Sequence, residues 1–250
     1  MRYKLTLQYD GSNYAGWQIQ KNAAKTLQGT FIDTLSTVLS NHQGTFQALQ
    51  GAGRTDAGVH AYGQVAHLEC ETRLSPAALQ EAVNALLPPS LHVLALEPAP
   101  DRFHARHWAE SRQYVYRIST RRNPFERKFV CWVKEELDIA RMAKSLQDLK
   151  GFHDFASFSR KPRQEKSTEV LMEHVALVQE ADLILIRLRA SHFLWNMVRN
   201  IVGTAVEVGK GNLSEDVFQQ ALSTYNPELR NYRMPASGLF LEAVRYRDRP

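Results

Sequence analysis

Two hydrophobic periods alternate along the chain, and that alternation limits the fold more than any other feature. Tyr3 to Tyr9 alternates at the period of a half-buried strand, and Asp10-Gly11-Ser12 follows as a turn. Behind Thr26, a suitable N-cap, Leu27, Phe31, Leu35, Val38 and Leu39 recur at helical spacing. Gly63 to Glu69 reads as a strand. Ser75-Pro76 opens a second helix as cap and first-turn proline, with Leu79, Val83, Leu86 and Leu87 expected inward and Pro88-Pro89 as its stop. His92 to Leu96 returns as a strand, and Pro98-Ala99-Pro100 is the strongest punctuation in the sequence. The scheme then recurs: a strand at Tyr114 to Ser119, a helix from Asp138 to Lys150 closed by Gly151, and strands at Glu169 to Val178 and Leu183 to Arg189. A helix from Phe193 to Val208 stops at Gly209, Ser214 caps a short last helix, and Leu239 to Val244 closes the chain as a strand. Strands and helices mix without the strict repetition of a doubly wound parallel sheet, so the expectation is an α+β fold. Two similar sheet-and-helix halves are expected, residues 1–104 and 105–250.

Several function classes drop out early. No run of about 18 apolar residues could span a bilayer, so no membrane partner is expected. The opening Met1-Arg2-Tyr3-Lys4-Leu5-Thr6-Leu7 lacks the apolar core and cleavage site of an export signal, which favours the cytoplasm. Cys70 and Cys131 lie far apart with no Cys-x-x-Cys pair, so neither a disulfide framework nor a zinc site is suggested. Charge is uneven: residues 1–105 hold 7 Lys and Arg against 8 Asp and Glu, and residues 106–250 hold 24 against 18. The cations of the second half cluster at Arg112, Arg117, Arg121, Arg122, Arg127 and Lys128, then at Arg160, Lys161, Arg163 and Lys166. Such clusters suit a polyanion, although charge alone does not establish one.

The run Gly51-Ala52-Gly53-Arg54-Thr55-Asp56-Ala57-Gly58-Val59-His60 has the composition of a loop whose backbone comes close to another group. A phosphate-binding P-loop would need Lys and then Ser or Thr after its last glycine, but Val59 follows Gly58. The dinucleotide fingerprint would place its third glycine at position 56, where Asp56 sets a negative charge against a pyrophosphate. No nucleotide cofactor is therefore expected. On composition alone the run could be a structural turn, with Asp56 accepting backbone hydrogen bonds.

Its order, however, closely resembles the active-site motif of the tRNA pseudouridine synthase A (TruA) family, and the resemblance extends along the chain. Tyr9-Asp10-Gly11-Ser12-Asn13-Tyr14-Ala15-Gly16-Trp17-Gln18-Ile19-Gln20 is similar to the family's first motif, and Thr26-Leu27-Gln28 to the start of its first helix. Phe103-His104-Ala105-Arg106 with Arg112-Gln113-Tyr114-Val115-Tyr116 resembles the central motif. Phe193-Leu194-Trp195-Asn196-Met197-Val198-Arg199-Asn200-Ile201-Val202-Gly203 and Pro235-Ala236-Ser237-Gly238-Leu239-Phe240-Leu241 resemble the two later ones. The chain departs from the family at Trp195-Asn196, where Tyr and His are more usual, and at Met234, where Ala is common.

The resemblance implies the pseudouridine synthase fold with its active-site cleft between the halves, and it implies an isomerase. In that reaction the bond from uracil N1 to ribose C1′ breaks, C5 joins C1′ and the C5 proton leaves. No atom is imported and nothing is oxidised, so no cofactor and no metal are expected. The resemblance assigns Asp56 as the catalytic carboxylate, Arg199 as its ion-pair partner and Tyr114 as the ring against the target base. Arg54 is the candidate to fill the stem when the uridine flips out, and His60 and Leu239 are expected to contact substrate. The implied partners are tRNA, through its anticodon arm at uridines 38, 39 and 40, and a second copy of the chain as a homodimer. Without the resemblance, Tyr114 and Tyr116 would be ordinary core aromatics of a strand, and Arg199 a cation reaching for solvent from an apolar helix.

Overall fold

The computed structural model describes residues 1–20, 25–160 and 167–247. These form two compact units, Met1–Glu110 together with Leu241–Pro250, and Ser111–Phe240. The division lies slightly beyond residue 104, inside a strand, and the chain returns to the first unit at its end. That return follows from strand pairing between residues distant in sequence, which local periodicity does not report.

In the first unit β1 (Arg2–Tyr9) runs antiparallel between β3 (His60–Glu71) and β4 (Leu91–Pro98), with Leu5 opposite both Ala66 and Leu96. Its alternate residues Tyr3, Leu5, Leu7 and Tyr9 are buried, as the period of two requires. α1 (Leu27–Asn41) buries Leu27, Phe31, Leu35, Val38 and Leu39, and the Thr26 side chain caps it by accepting from Gly29 N–H. β2 (Thr45–Gly51) pairs antiparallel with β3 and has no counterpart among the elements expected from sequence. Only Leu49 in it is buried, while the alternating Phe46 and Ala48 are half-buried, so the strand is short of apolar residues. α2 (Pro76–Leu86) buries Leu79 and Val83 but leaves Leu86 54% exposed. Leu86 ends the helix, and the extended Leu87 that follows supplies the buried side chain instead. The last strand, β10 (Leu239–Tyr246), belongs to this unit from Leu241 onward and lies beside β3. There Gly63 leaves room for the Glu242 carbonyl, which a Cβ would meet at 2.8 Å. Val244 and Tyr246 pack on Ala52, Val65, Phe103 and Ala105, and the Tyr246 hydroxyl donates to Ala105 O at 2.7 Å.

In the second unit β5 (Ala109–Ser119) pairs antiparallel with β9 (Leu183–Ala190), β9 with β8 (Glu169–Glu180), and β8 with β7 (Gly151–Asp154). β6 (Cys131–Trp132) adds a short parallel pairing to the end of β5. α3 (Ile139–Leu146) passes into a 3-10 turn over Gln147–Leu149, so the helix expected to Lys150 tightens in its last turn. α4 (Met197–Gly209) is buried almost throughout. It starts four residues later than periodicity suggested, because Asn196 is left-handed at φ 64° and breaks the run from Phe193. Gly203 sits where a Cβ would lie 1.7 Å from the Tyr232 carbonyl, so this helix accepts its neighbour only with glycine at that position. α5 (Val217–Ser223) begins after Asp216, not at a Ser214 cap; the Ser214 hydroxyl donates to the Asp216 carboxylate instead.

Candidate active site

The Asp56 loop is held chiefly by the segment that follows β1. Trp17 N–H donates to Thr55 O at 2.9 Å, and the Thr55 hydroxyl meets the Tyr9 hydroxyl at 2.9 Å, both within the buried interior. Gln64, fully buried on β3, donates to Gly53 O at 3.0 Å. Val59 N–H closes a turn on Asp56 O at 3.1 Å, with Gly58 at φ 77°. Two glycines make the fit possible. A Cβ on Gly11 would lie 2.0 Å from Val59 O, and one on Gly16, itself at φ 94°, would lie 2.7 Å from Thr55 O. His60 is 1% exposed, and its Nδ1 lies 3.1 Å from Gly11 N and 3.2 Å from Asp10 Oδ1. Asp56 itself is half-buried, at the tip of a turn whose flanks Thr55 and Val59 are buried. A carboxylate there has a fixed backbone beneath it and a reachable side chain.

Arg54 is exposed, yet its guanidinium is tied into the interior by a chain of amides. Arg54 Nε donates to Gln18 Oε1 at 3.1 Å, and Gln18 Nε2 donates to Gln28 Oε1 at 2.7 Å. That oxygen also accepts from Ile19 N–H at 3.2 Å, and Gln28 Nε2 donates to Leu49 O at 2.8 Å. A carbonyl can only accept and a backbone amide can only donate, so Leu49 and Ile19 fix which way the Gln28 carboxamide points. Gln18 must then turn its oxygen outward, toward Arg54. Sequence reasoning gave Gln18 and Gln28 no role, although both lie within the motifs quoted above. Beside this chain opens a groove of about 440 Å³ lined by Arg54, Arg106, His104, Gln47 and Phe46 among others, with no Asp or Glu among the described residues on its wall.

Tyr114, Arg199 and Leu239 all belong to the second unit. Tyr114 and Tyr116, two residues apart on β5, share the face opposite Val115, which packs with Leu185 and Phe240. The Tyr114 ring meets Phe193 edge-on, centroids 5.0 Å apart. Tyr116 is fully buried, its hydroxyl donates to Pro235 O at 2.7 Å, and burial pushes its phenol well above the ordinary value. Gly238 presses on the Tyr116 ring where a Cβ would come within 2.6 Å. Arg199, half-buried on α4, donates from Nε to Met234 O at 2.6 Å, and Met234 N–H returns a bond to Arg199 O at 3.2 Å. Leu239 is buried at the start of β10. Residues 234–238 thus join the α4 arginine to Tyr116 on β5.

The basic clusters divide by use. Arg112 donates to Ser191 O at 3.0 Å and Arg117 lies over Phe240, so both have duties inside the second unit. Arg121, Arg122, Arg127 and Lys128 are exposed, with Phe125 exposed among them. Arg160 is described; Lys161, Arg163 and Lys166 lie outside the described residues. In the first unit the rings of His67, His104 and His107 follow one another at 4.7 and 4.2 Å between centroids, tilted by 54° and 49°. Burial, then the neighbouring His104, lowers His67 to about 4, and burial with His107 lowers His104. Among the described residues no group of three or more His, Cys, Asp or Glu side chains is arranged to hold a metal ion. No helix there is long and apolar enough to cross a membrane.

A family model described as tRNA pseudouridine synthase matches residues 6–107 and 146–247. The tRNA pseudouridine synthase A of Beijerinckia indica subsp. indica is 40% identical over 248 residues, which cover 98% of this chain and 94% of that protein. The tRNA pseudouridine synthase A 2 of Bacillus anthracis is 36% identical over 246 residues, covering 98% and 99%. The tRNA pseudouridine synthase A of Ehrlichia chaffeensis is 35% identical over 249 residues, covering 98% and 100%.

Proposed function

The chain belongs to the tRNA pseudouridine synthase family, and on that premise we propose that it isomerises uridine to pseudouridine at positions 38, 39 and 40 of the tRNA anticodon arm. The observation that carries the site assignment is the Asp56 turn, a half-buried carboxylate on a backbone locked from below by Gly11, Gly16 and the Tyr9–Thr55 hydroxyl pair. Breaking the N1–C1′ bond, forming C5–C1′ and moving the C5 proton to solvent need one well-aimed carboxylate and no oxidant. Asp56 supplies it. By the family pattern Arg199 keeps that carboxylate ionised, Tyr114 stacks on the uracil, and His60 and Leu239 shape the substrate pocket. Arg54, aimed by Gln18 and Gln28, occupies the space the uridine vacates when it leaves the stem. The exposed cations from Arg121 to Lys128 contact phosphates. The protein works in the cytoplasm as a homodimer, without cofactor.

Tritium at uridine C5 tests the reaction, because that hydrogen must leave. Wild-type protein is expected to release tritium from tRNA, with the modified positions mapping to 38–40. An Asp56→Asn protein that released tritium at the wild-type rate would remove Asp56 from the chemistry. Arg199→Ala is expected to lose activity while keeping most tRNA affinity; a loss confined to binding would reassign Arg199 to substrate contact.

A further inference from the structure

Between β9 and α4 the second unit displays a large aromatic ring that core packing does not use. Trp195 is 54% exposed, and the Arg160 guanidinium lies over its indole at 4.4 Å from the ring centroid. The pairing is built into the backbone. Arg160 N–H donates to Trp195 O at 3.1 Å, and the buried Asn200 donates from Nδ2 to Phe158 O at 2.6 Å, tying the 156–160 turn to the first turn of α4. Asn196, in its left-handed conformation, fixes the direction in which the chain leaves Trp195. The same short segment carries Phe193 against Tyr114, and Asn196 Oδ1 lies 3.4 Å from Arg199 Nη1. A rigid, exposed indole with a cation on it therefore adjoins the residues that position Arg199 and Tyr114.

Unpaired bases bind proteins by stacking on aromatic rings and guanidinium planes, and the accompanying positive charge favours a ligand that carries phosphate. The Arg160–Trp195 pair offers both planes at one place. We propose that it is a stacking platform for an unpaired nucleobase of the tRNA other than the uridine that reacts. The inference rests on the reading of the chain as a tRNA-modifying enzyme, and it concerns binding, not the chemical step. Every base has a π-face, so the platform selects for an unpaired base and not for its identity.

The test compares wild type, Trp195→Ala, Trp195→Phe and Arg160→Ala, all checked for unchanged thermal unfolding, in tritium release from C5-labelled tRNA. Trp195→Ala is expected to raise KM about tenfold, within the range one stacked base contributes, while the saturated single-turnover rate falls far less. Trp195→Phe should recover most of the affinity, and Arg160→Ala should lose a smaller part of it. Quenching of indole fluorescence by a single-stranded oligonucleotide, taken as wild type minus Trp195→Phe, reports stacking without catalysis. An unchanged KM with no such quenching overturns the platform. So does a loss confined to the single-turnover rate, which would make Trp195 a support for Arg199. Absence of tritium release by wild type would defeat the enzymatic reading alone, since the quenching measurement judges the platform separately.

Discussion

The loop at 51–60 and the segment at 191–199 carry the polar groups assigned to the reaction, and they are built by different means. The first is a backbone fit. Gly11 and Gly16 let one main chain press on another, and the loop's contacts run largely through carbonyls and amides. The second is held by side chains that reach carbonyls: Arg112 to Ser191, Arg199 to Met234, Asn200 to Phe158. A backbone fit fails when an atom is added, whereas a side-chain lattice fails when one is removed. The two segments should therefore respond oppositely to the same kind of substitution.

The largest effect isolates the loop's carboxylate. Asp56→Asn is expected to lower tritium release at least ~10³-fold, the scale of removing an essential base or nucleophile, with unfolding temperature unchanged. Next comes the added methyl. Gly11→Ala must displace Val59 O, and a shift of about 1 Å in the loop should cost on the order of 10²-fold in rate. The equivalent addition in the second unit, Gly203→Ala, should appear chiefly as a stability loss of about 1–3 kcal/mol in denaturant titration. Equal rate losses from the two would break the comparison.

Removing the amide chain is expected to matter less. Gln28→Leu strands Leu49 O and frees Gln18, costing roughly 1–3 kcal/mol of stability. It should also weaken base extrusion, read as a smaller rise in 2-aminopurine fluorescence beside the target uridine. Smaller again is Arg122→Ala, expected to reduce tRNA affinity a few-fold and to lower the slope of log affinity against log salt by about 1. The smallest effect is one of pH. His67 titrates near 4 when folded against 6.5 for its ordinary value, so the unfolded chain binds more protons between those values. The stability it supports is complete above pH 6.5 and fades as pH falls toward 4. His67→Gln should flatten thermal unfolding over that window, leaving the smaller slope that His104 and His192, both lowered by desolvation, contribute in the same direction.

Much of the fold was legible because its signals are local. The alternation of Tyr3 to Tyr9, the spacing behind Thr26 and the proline after Ser75 each act within one element. β2 was not legible, since it joins the sheet through register with β3 and buries only Leu49. The start of α4 was obscured because Phe193 to Trp195 continue the apolar pattern while Asn196 turns the backbone the other way. Asp56 stood out through the order of its neighbours. The Gln18–Gln28 chain did not, because its direction is set by Leu49 O, 10 and then 21 residues along from Gln18 and on the strand that periodicity passed over.

The return of β10 to the first unit bears on how the molecule is made. Val244 and Tyr246 complete the cluster around Phe103, yet all of Ser111–Phe240 precedes them in the chain. On a ribosome adding about 5–20 residues per second, the first unit waits on the order of ten seconds for its final strand. β10 also carries Leu239 and Phe240, so the core of the second unit is closed by the same strand. Until that strand arrives, the Ala52–Phe103 face behind the Asp56 loop lacks its cover.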